Sequence, residues 1–126
     1  MVKKTIFFIS EDPNDKSQII SSILNYKDGV LEGEFSEYFD GGSLKERGNY
    51  LNGKKSGTWM KYSITGSKMI EESFKDGLRN GWTKSFDESG KEVGKQYYLQ
   101  GRLIIGKELE VRLNQKKKQA IESKSN

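Results

Sequence analysis

The chain has 126 residues, a net charge of +4 and a mean hydropathy of −0.82, and 33% of its residues are hydrophobic. These values leave room for one domain at most and exclude a large globular core, whereas a repeat array needs less, because each unit buries its face only against its neighbours. With no histidine and no cysteine, the chain lacks the commonest general base, the thiol nucleophile and the usual transition-metal ligands.

The N-terminal part of the chain predicts a pair of strands. Residues 5–10 read as a strand, residues 11–17 as a turn containing Pro13, and residues 18–26 as the returning strand. A helix is the alternative, because apolar residues in the same stretch also follow helical spacing, namely Ile19, Ile20, Ile23 and Leu24. We favour the strand because Tyr26 then keeps the register of the repeats that follow.

The apolar run at residues 6–9 is too short for the hydrophobic region of a signal peptide, and no small-residue cleavage site follows it. The absence of cysteine fits a reducing compartment. Together these features predict a cytoplasmic protein.

The central part of the chain repeats with a fixed period, which is a stronger signal than local propensity. Seven aromatic residues fall at a spacing of 12: Tyr26, Tyr38, Tyr50, Tyr62, Phe74, Phe86 and Tyr98. Glycines at a spacing of 24 form three further series: Gly29, Gly53, Gly77 and Gly101; Gly33, Gly57 and Gly81; and Gly42, Gly66 and Gly90.

Each period of 24 residues contains two turn signals. One is a pair such as Asn52-Gly53, which suits a tight hairpin because both central residues can adopt a positive φ. The other is a looser turn such as Thr65-Gly66. Two turns per period leave two strands, so the chain is predicted to be all-β: an elongated antiparallel meander of about four 24-residue hairpin repeats in a single-layer twisted sheet.

The aromatic series should form two rows on opposite margins of this sheet, because successive members precede turns at opposite ends. Within a row the aromatic residues are two strands apart, about 9–10 Å at the usual strand spacing. That distance is too long for direct ring stacking. We therefore expect intervening side chains to fill the gaps.

The C-terminal part alternates apolar and charged residues at Leu109, Val111 and Leu113, which predicts a last edge strand. The β-repeat domain is accordingly expected to span residues 1–113, followed by a polar, basic tail at residues 114–126. Aliphatic residues gather at both ends of the chain, where they either cap the array or form an edge for a dimer or a partner.

Three segments resemble the MORN-repeat variant common in bacterial proteins: residues 28–38 (DGVLEGEFSEY), residues 52–62 (NGKKSGTWMKY) and residues 76–86 (DGLRNGWTKSF). The likeness covers roughly residues 5–106. It implies an elongated β-meander that binds partners rather than catalyses, and in particular an antitoxin- or immunity-type inhibitor of a toxin, effector or other enzyme. Other MORN proteins are linked to membranes and phosphoinositides, so the resemblance implies a membrane-surface scaffold as the alternative.

Two positions depart from the MORN-like pattern. Ile105 occupies the place that Gly33, Gly57 and Gly81 hold in the other repeats, so the last repeat is degenerate. Trp82 directly follows its glycine, whereas Trp59 lies two residues after the corresponding one. Because successive strand residues point to opposite faces, Trp82 is expected to face away from Trp59.

The candidate partner-binding residues are aromatic or cationic: Trp59, Trp82, Tyr62, Lys54, Lys55 and Arg79. Large aromatic residues are enriched in binding hot spots, and cations in loops between strands are easily reached. The competing explanations are packing across the sheet for the tryptophans and solubility for the cations.

No catalytic, metal or cofactor site is predicted. Glu71 and Glu72 are neighbours on a strand and point to opposite faces, so they do not form a catalytic carboxylate pair. Residues 27–106 hold 13 basic and 12 acidic residues, which argues against a nucleic-acid groove. The basic run Lys116, Lys117 and Lys118 permits weak contact with an anionic membrane, against the alternative of a solvated tail.

Overall fold

The computed structural model describes residues 1–15 and 19–124. Within these residues the chain forms eleven β-strands in one open sheet and a single C-terminal helix. Strands follow one another across the sheet in chain order, and each is antiparallel to its neighbours. The predicted antiparallel β-sheet is therefore confirmed, whereas the C-terminal helix departs from the all-β prediction.

The strands are β1 (Val2–Phe7), β2 (Ile20–Lys27), β3 (Val30–Leu31), β4 (Gly33–Tyr38), β5 (Leu44–Leu51), β6 (Lys54–Tyr62), β7 (Lys68–Lys75), β8 (Leu78–Arg79), β9 (Gly81–Phe86), β10 (Glu92–Leu99) and β11 (Arg102–Ile104). The helix α1 spans Gly106–Lys124. The two-residue strands β3 and β8 pair only with β2 and β7, and they continue into β4 and β9 after a bulge. Gly33 and Gly81, the first residues of β4 and β9, have φ values of 95° and 103°, which favour glycine at the bulge.

Tight hairpin turns recur along one margin of the sheet. Their first residues all have a positive φ near 50°, namely Asp28, Asn52, Asp76 and Gln100, and a glycine with φ between 80° and 84° follows each. Two consecutive positive φ values define the tight turn that the sequence predicts here. Each later turn is also tied to the preceding hairpin: the Gly77 amide donates to the Lys55 carbonyl at 3.0 Å, and the Gly101 amide to the Arg79 carbonyl at 2.8 Å.

Wider turns follow the opposite margin. The Ser63 amide donates to the Ser67 carbonyl at 2.8 Å, and the Gly66 amide donates back to the Ser63 carbonyl at 2.9 Å. The same arrangement recurs at the corresponding positions of the other two turns. At the last of them Asp87 Oδ1 accepts hydrogen bonds from Ser89 and Lys91, which lower the pKa of Asp87.

At the N-terminal end the strand prediction is confirmed and the helical alternative is wrong, because β1 and β2 pair as antiparallel strands. Part of the predicted turn, residues 16–18, lies outside the described residues. The outer side of β1 is a free edge of the sheet, and Ile6 and Phe7 on this strand are about 40% exposed.

At the C-terminal end the prediction of an edge strand at Leu109, Val111 and Leu113 is wrong. These residues lie in α1, which runs through the predicted start of the tail at residue 114. Leu109 and Leu113 are four residues apart, so they share one side of the helix, and both are half-buried. One turn later Lys116 places its ammonium group 4.9 Å above the Tyr97 ring, so this side of α1 faces the sheet.

Two features start the helix where the sheet ends. Gly106 has a φ of 61° and turns the chain away from β11. Arg102 on β11 then forms an ion pair with Glu108 in the first helical turn, with N–O distances of 2.8 and 3.2 Å. A carboxylate in the first turn also favours a helix through the helix dipole.

Candidate binding surface

Strand register divides the side chains between two faces of the sheet. Trp59 is paired with Glu72 across β6 and β7, whereas Glu71 is paired with Lys84 across β7 and β9. Since neighbouring strand residues point to opposite faces, Trp59 and Glu72 lie on one face, while Glu71, Lys84 and Trp82 lie on the other. We call these the Trp59 face and the Trp82 face. The expectation that the two tryptophans point in opposite directions is confirmed.

The Trp59 face holds a packed aromatic cluster. The Trp59 indole is 1% exposed and lies directly on Gly48, where even a methyl group would overlap the ring. Its Nε1 donates to the Asn49 carbonyl at 3.1 Å. Three further rings surround it, with centroid distances of 5.1, 5.4 and 6.2 Å to Tyr50, Phe35 and Phe74. Trp59 thus fills the gap between aromatic residues two strands apart.

Charged groups on the Trp59 face are paired with one another. Glu72 is 3% exposed, and its Oε2 accepts a hydrogen bond from Arg79 Nε at 2.7 Å, which raises the pKa of Arg79. Glu72 Oε1 lies 3.6 Å from the Lys61 ammonium group. Lys55 lies 3.8 Å from Glu46 and 4.5 Å above the Trp59 ring.

A second aromatic pair lies on the Trp82 face. Trp82 and Tyr97 are opposite each other on β9 and β10, and their rings meet edge to face at a centroid distance of 5.0 Å. Tyr97 is 3% exposed, and Ile104, its paired residue on β11, is 1% exposed. Trp82 remains half-buried. This pair forms the border between the part of the face near α1 and the open sheet.

Three cations on the Trp82 face contact rings or sulfur instead of carboxylates. The Lys95 ammonium group lies 4.5 Å above the Trp82 ring, and that of Lys116 lies 4.9 Å above Tyr97. Arg47 Nη2 lies 3.8 Å from Met60 Sδ. Among residues 1–15 and 19–124, no carboxylate forms an ion pair with Lys95, Lys116 or Arg47.

The same face has a shallow groove of about 340 Å³ on β4, β5 and β6, and β7 separates it from Trp82 on β9. Its lining side chains on this face are Glu34, Ser36, Arg47, Asn49, Thr58 and Met60. Arg47 and Met60 are paired across β5 and β6, which places the groove in the middle of the sheet. The groove therefore adds a recess to the Trp82 face. The helix α1 contacts this face through Lys116 at Tyr97 on β10, away from the groove.

The six partner-binding residues predicted from the sequence do not form one site. Trp59, Lys55 and Arg79 all belong to the Trp59 face, whereas Tyr62 donates its hydroxyl to Met60 Sδ at 3.3 Å on the Trp82 face. Lys54 is exposed at a tight turn. Trp59 is 1% exposed, which favours the alternative of packing across the sheet, because a partner could not reach the ring without displacing it.

Sequence reasoning missed Tyr97 and Lys95, which contact Trp82, and Arg47 at the groove. It considered Lys116 only as part of a basic tail. A signal for Tyr97 was present: it precedes Tyr98 of the aromatic series and must therefore face the opposite side of the strand. The position of Lys116 above Tyr97 depends on α1, so the predicted edge strand concealed it.

No protein-family model, curated protein or solved structure matches this chain. In the part of the chain that the structure describes, no helix is long and apolar enough to cross a membrane. The same residues contain no group of three or more His, Cys, Asp or Glu side chains placed to hold a metal ion.

Proposed function

We propose that this chain is a non-enzymatic protein-binding module, built of about four hairpin repeats of the MORN type, that acts in the cytoplasm as an antitoxin- or immunity-type inhibitor. It covers a functional surface of a partner protein, such as a toxin, an effector or another enzyme, and blocks that partner's activity. The observation that carries the proposal is the half-buried Trp82 on the open side of the sheet, with its ring flanked by Lys95.

Trp82 has the features of an interface anchor. Large aromatic residues dominate binding energy where their surroundings are already well packed, because a held ring loses little freedom on association. Tyr97 and Lys95 both contact the Trp82 ring, and the exposed part of the side chain remains available to a partner. The groove on the same face would accept side chains from the partner, and the extended sheet supplies the surface around this anchor.

Identification of the partner is the first test. Affinity capture from the source cell, followed by mass spectrometry and native mass measurement, is expected to yield one stoichiometric protein. Adding this chain to that purified protein should reduce its activity in proportion to the amount bound. A captured protein whose activity is unchanged in the complex would contradict the inhibitory role.

Substitution of the anchor tests the surface. Trp82→Ala is expected to weaken binding of the captured partner by roughly 30-fold, because a hot-spot residue contributes about 2 kcal/mol or more. The matched control is Tyr98→Ala, which removes a half-buried ring from the Trp59 face of the neighbouring strand. If Trp82→Ala folds normally and binds at wild-type affinity, or if only Tyr98→Ala weakens binding, the proposed surface is wrong.

A membrane-surface scaffold is the second candidate. It is supported by Lys116, Lys117 and Lys118, which are all exposed on the part of α1 that extends beyond its half-buried leucines. Each lysine near an anionic surface contributes about 1 kcal/mol, so three give weak attachment unless a second signal is present. Flotation with anionic liposomes tests it: a chain that floats only when these lysines are intact would favour the scaffold.

A further inference from the structure

We propose that the Trp82 face recognises an acidic, extended segment of the partner protein, with carboxylates at both ends and an apolar centre. This inference rests on the proposed protein-binding function and names the chemistry of what is bound. The structural basis is a continuous row of paired residues across five strands, formed by Arg47, Met60, Glu71, Lys84 and Lys95.

Both ends of this row are cationic. Arg47 lies at one end, and Lys84 and Lys95 lie side by side at the other, with Lys116 of α1 above the adjoining Tyr97. Lys84 is 4.0 Å from Glu92, at the limit of an ion pair. Arg47, Lys95 and Lys116 have no carboxylate partner among the described residues, so a partner's carboxylates would find them available.

The centre of the row is apolar or neutralised. Met60 presents a polarisable thioether, which adapts to apolar side chains of different shapes. The carboxylate of Glu71 is 3.6 Å from the Lys68 ammonium group, so its charge is already balanced. Glu34 is the remaining acidic residue at the groove, and it lies beyond Arg47. An acidic ligand therefore meets little repulsion along the row.

The cations are also held in place before binding. A cation above an aromatic ring keeps its outer side free for a carboxylate, and it has already lost part of the side-chain freedom that binding would cost. Lys95 and Lys116 are positioned in this way by Trp82 and Tyr97. On the Trp59 face, by contrast, Lys61 and Arg79 already share Glu72, so the same charges cannot serve a partner.

The length of the row sets the length of the ligand. Arg47 on β5 and Lys95 on β10 are separated by four strand spacings, because β6, β7 and β9 lie between them. At the usual spacing this is about 19 Å, which about six extended residues would span. The segment would cross the strands over the shallow groove and the Trp82 ring.

A pair of peptides tests the proposal: Ac-Glu-Glu-Leu-Leu-Glu-Glu-NH₂ and the matched peptide with Gln in place of Glu. Each is titrated at low salt into the ¹⁵N-labelled full chain, and the indole N–H signals of the two tryptophans are followed. The acidic peptide is expected to shift the Trp82 signal and the Lys95 amide to saturation, while the Trp59 signal stays in place. The Gln peptide should bind about tenfold more weakly.

Two double variants locate the effect. Lys95→Gln with Lys116→Gln should weaken binding of the acidic peptide by roughly tenfold, because two exposed charge pairs are lost. Lys54→Gln with Lys75→Gln removes the same charge from exposed positions near the tight turns and should leave the affinity unchanged. Equal losses in the two variants would mean that net charge alone attracts the peptide, and the proposal would be wrong.

Other outcomes also overturn the inference. Equal binding of the Glu and Gln peptides would assign the surface to apolar recognition, and the absence of any shift at Trp82 would remove the site. Vesicles of equal parts phosphatidylglycerol and phosphatidylcholine serve as a third probe, and binding to them in place of the peptide would assign the cations to a membrane. If Trp82→Ala weakens binding of the captured partner but the Lys95/Lys116 double variant does not, recognition of an acidic segment is wrong while the proposed function stands.

Discussion

Trp59 on β6 and Trp82 on β9 both follow a glycine with a positive φ, yet one is 1% exposed and the other half-buried. Trp59 lies among three rings on its face, whereas Trp82 meets one ring and a lysine. The charges differ in the same way. Glu72 on the Trp59 face has two cationic partners, while Lys95 on the Trp82 face has an aromatic one.

A displacement of one residue explains the difference. Trp59 follows Gly57 after one intervening residue, whereas Trp82 follows Gly81 directly, which moves the side chain to the other face. Thr83 then occupies the position that corresponds to Trp59, and its Oγ1 is buried without a hydrogen-bond partner in the described part of the chain. One face of the sheet is therefore packed around its tryptophan, while the other leaves its tryptophan partly exposed.

The largest expected effect is on stability. Trp59→Ala should lower the free energy of unfolding by about 3–5 kcal/mol, because a fully packed indole is lost. Trp82→Ala should cost about 1–2 kcal/mol, since part of that ring is already in contact with water. Urea unfolding of both variants measures the difference. Equal losses would mean that the two faces contribute equally to packing.

A glycine substitution tests whether a loss of stability comes from packing on the Trp59 face or from the backbone of the strand. Gly48→Ala should lower the free energy of unfolding by roughly 2–3 kcal/mol, because its methyl group overlaps the Trp59 indole. Gly94→Ala is the matched control: it lies within β10, and a methyl group there would meet nothing within 4 Å. A loss at both positions would point to the backbone, and an unchanged Gly48→Ala variant would contradict the position of Trp59.

Glu71 and Glu72 are neighbours on β7 and point to opposite faces, so substitutions at these two positions compare the electrostatic interactions of the two faces. Glu72→Gln should lower the free energy of unfolding by about 1–2 kcal/mol, because it weakens a buried, charge-assisted hydrogen bond to Arg79. Glu71→Gln removes a carboxylate whose ion pair with Lys68 is partly exposed, and we expect less than about 0.5 kcal/mol. Thermal unfolding at neutral pH distinguishes them, and a larger loss for Glu71→Gln would reverse the assignment of faces.

The smallest expected effect concerns Asp87 at the last wide turn. Hydrogen bonds from Ser89 and Lys91 lower its pKa below the ordinary value of 3.8, so its contribution to stability is present above that pH and is lost as the pH falls through the folded value. Asp87→Asn should be slightly less stable than wild type at neutral pH, and the gap should close in acid. Glu88→Gln controls for net charge, and a gap that persists in acid would contradict this origin.

Much of the fold follows from local sequence. Both central residues of each tight turn have a positive φ, and pairs such as Asn52-Gly53 predict such a turn because both residue types adopt that conformation readily. The helix could not be found in this way. Leu109, Val111 and Leu113 alternate as in a strand, but Leu109, Leu113 and Lys116 also share a helical side. In the structure they lie on α1, with Lys116 above Tyr97.

The candidate surface was harder to predict because it depends on register. Lys95 and Trp82 are distant in sequence and meet only after β9 and β10 are paired. Trp82 itself could be predicted to face away from Trp59, since that follows from counting residues after a glycine. The Trp59 ring is covered because it lies on Gly48, which belongs to the neighbouring strand. No local sequence pattern predicts that contact.

Lysine footprinting of the complex with the captured partner tests the central claim most directly. Acetylation rates of individual lysines are compared by mass spectrometry in the free chain and in the complex. We expect Lys84, Lys95 and Lys116 to become protected, while Lys55 and Lys61 on the Trp59 face react as before. Protection of Lys55 and Lys61, with Lys95 and Lys116 unchanged, would contradict recognition through the Trp82 face.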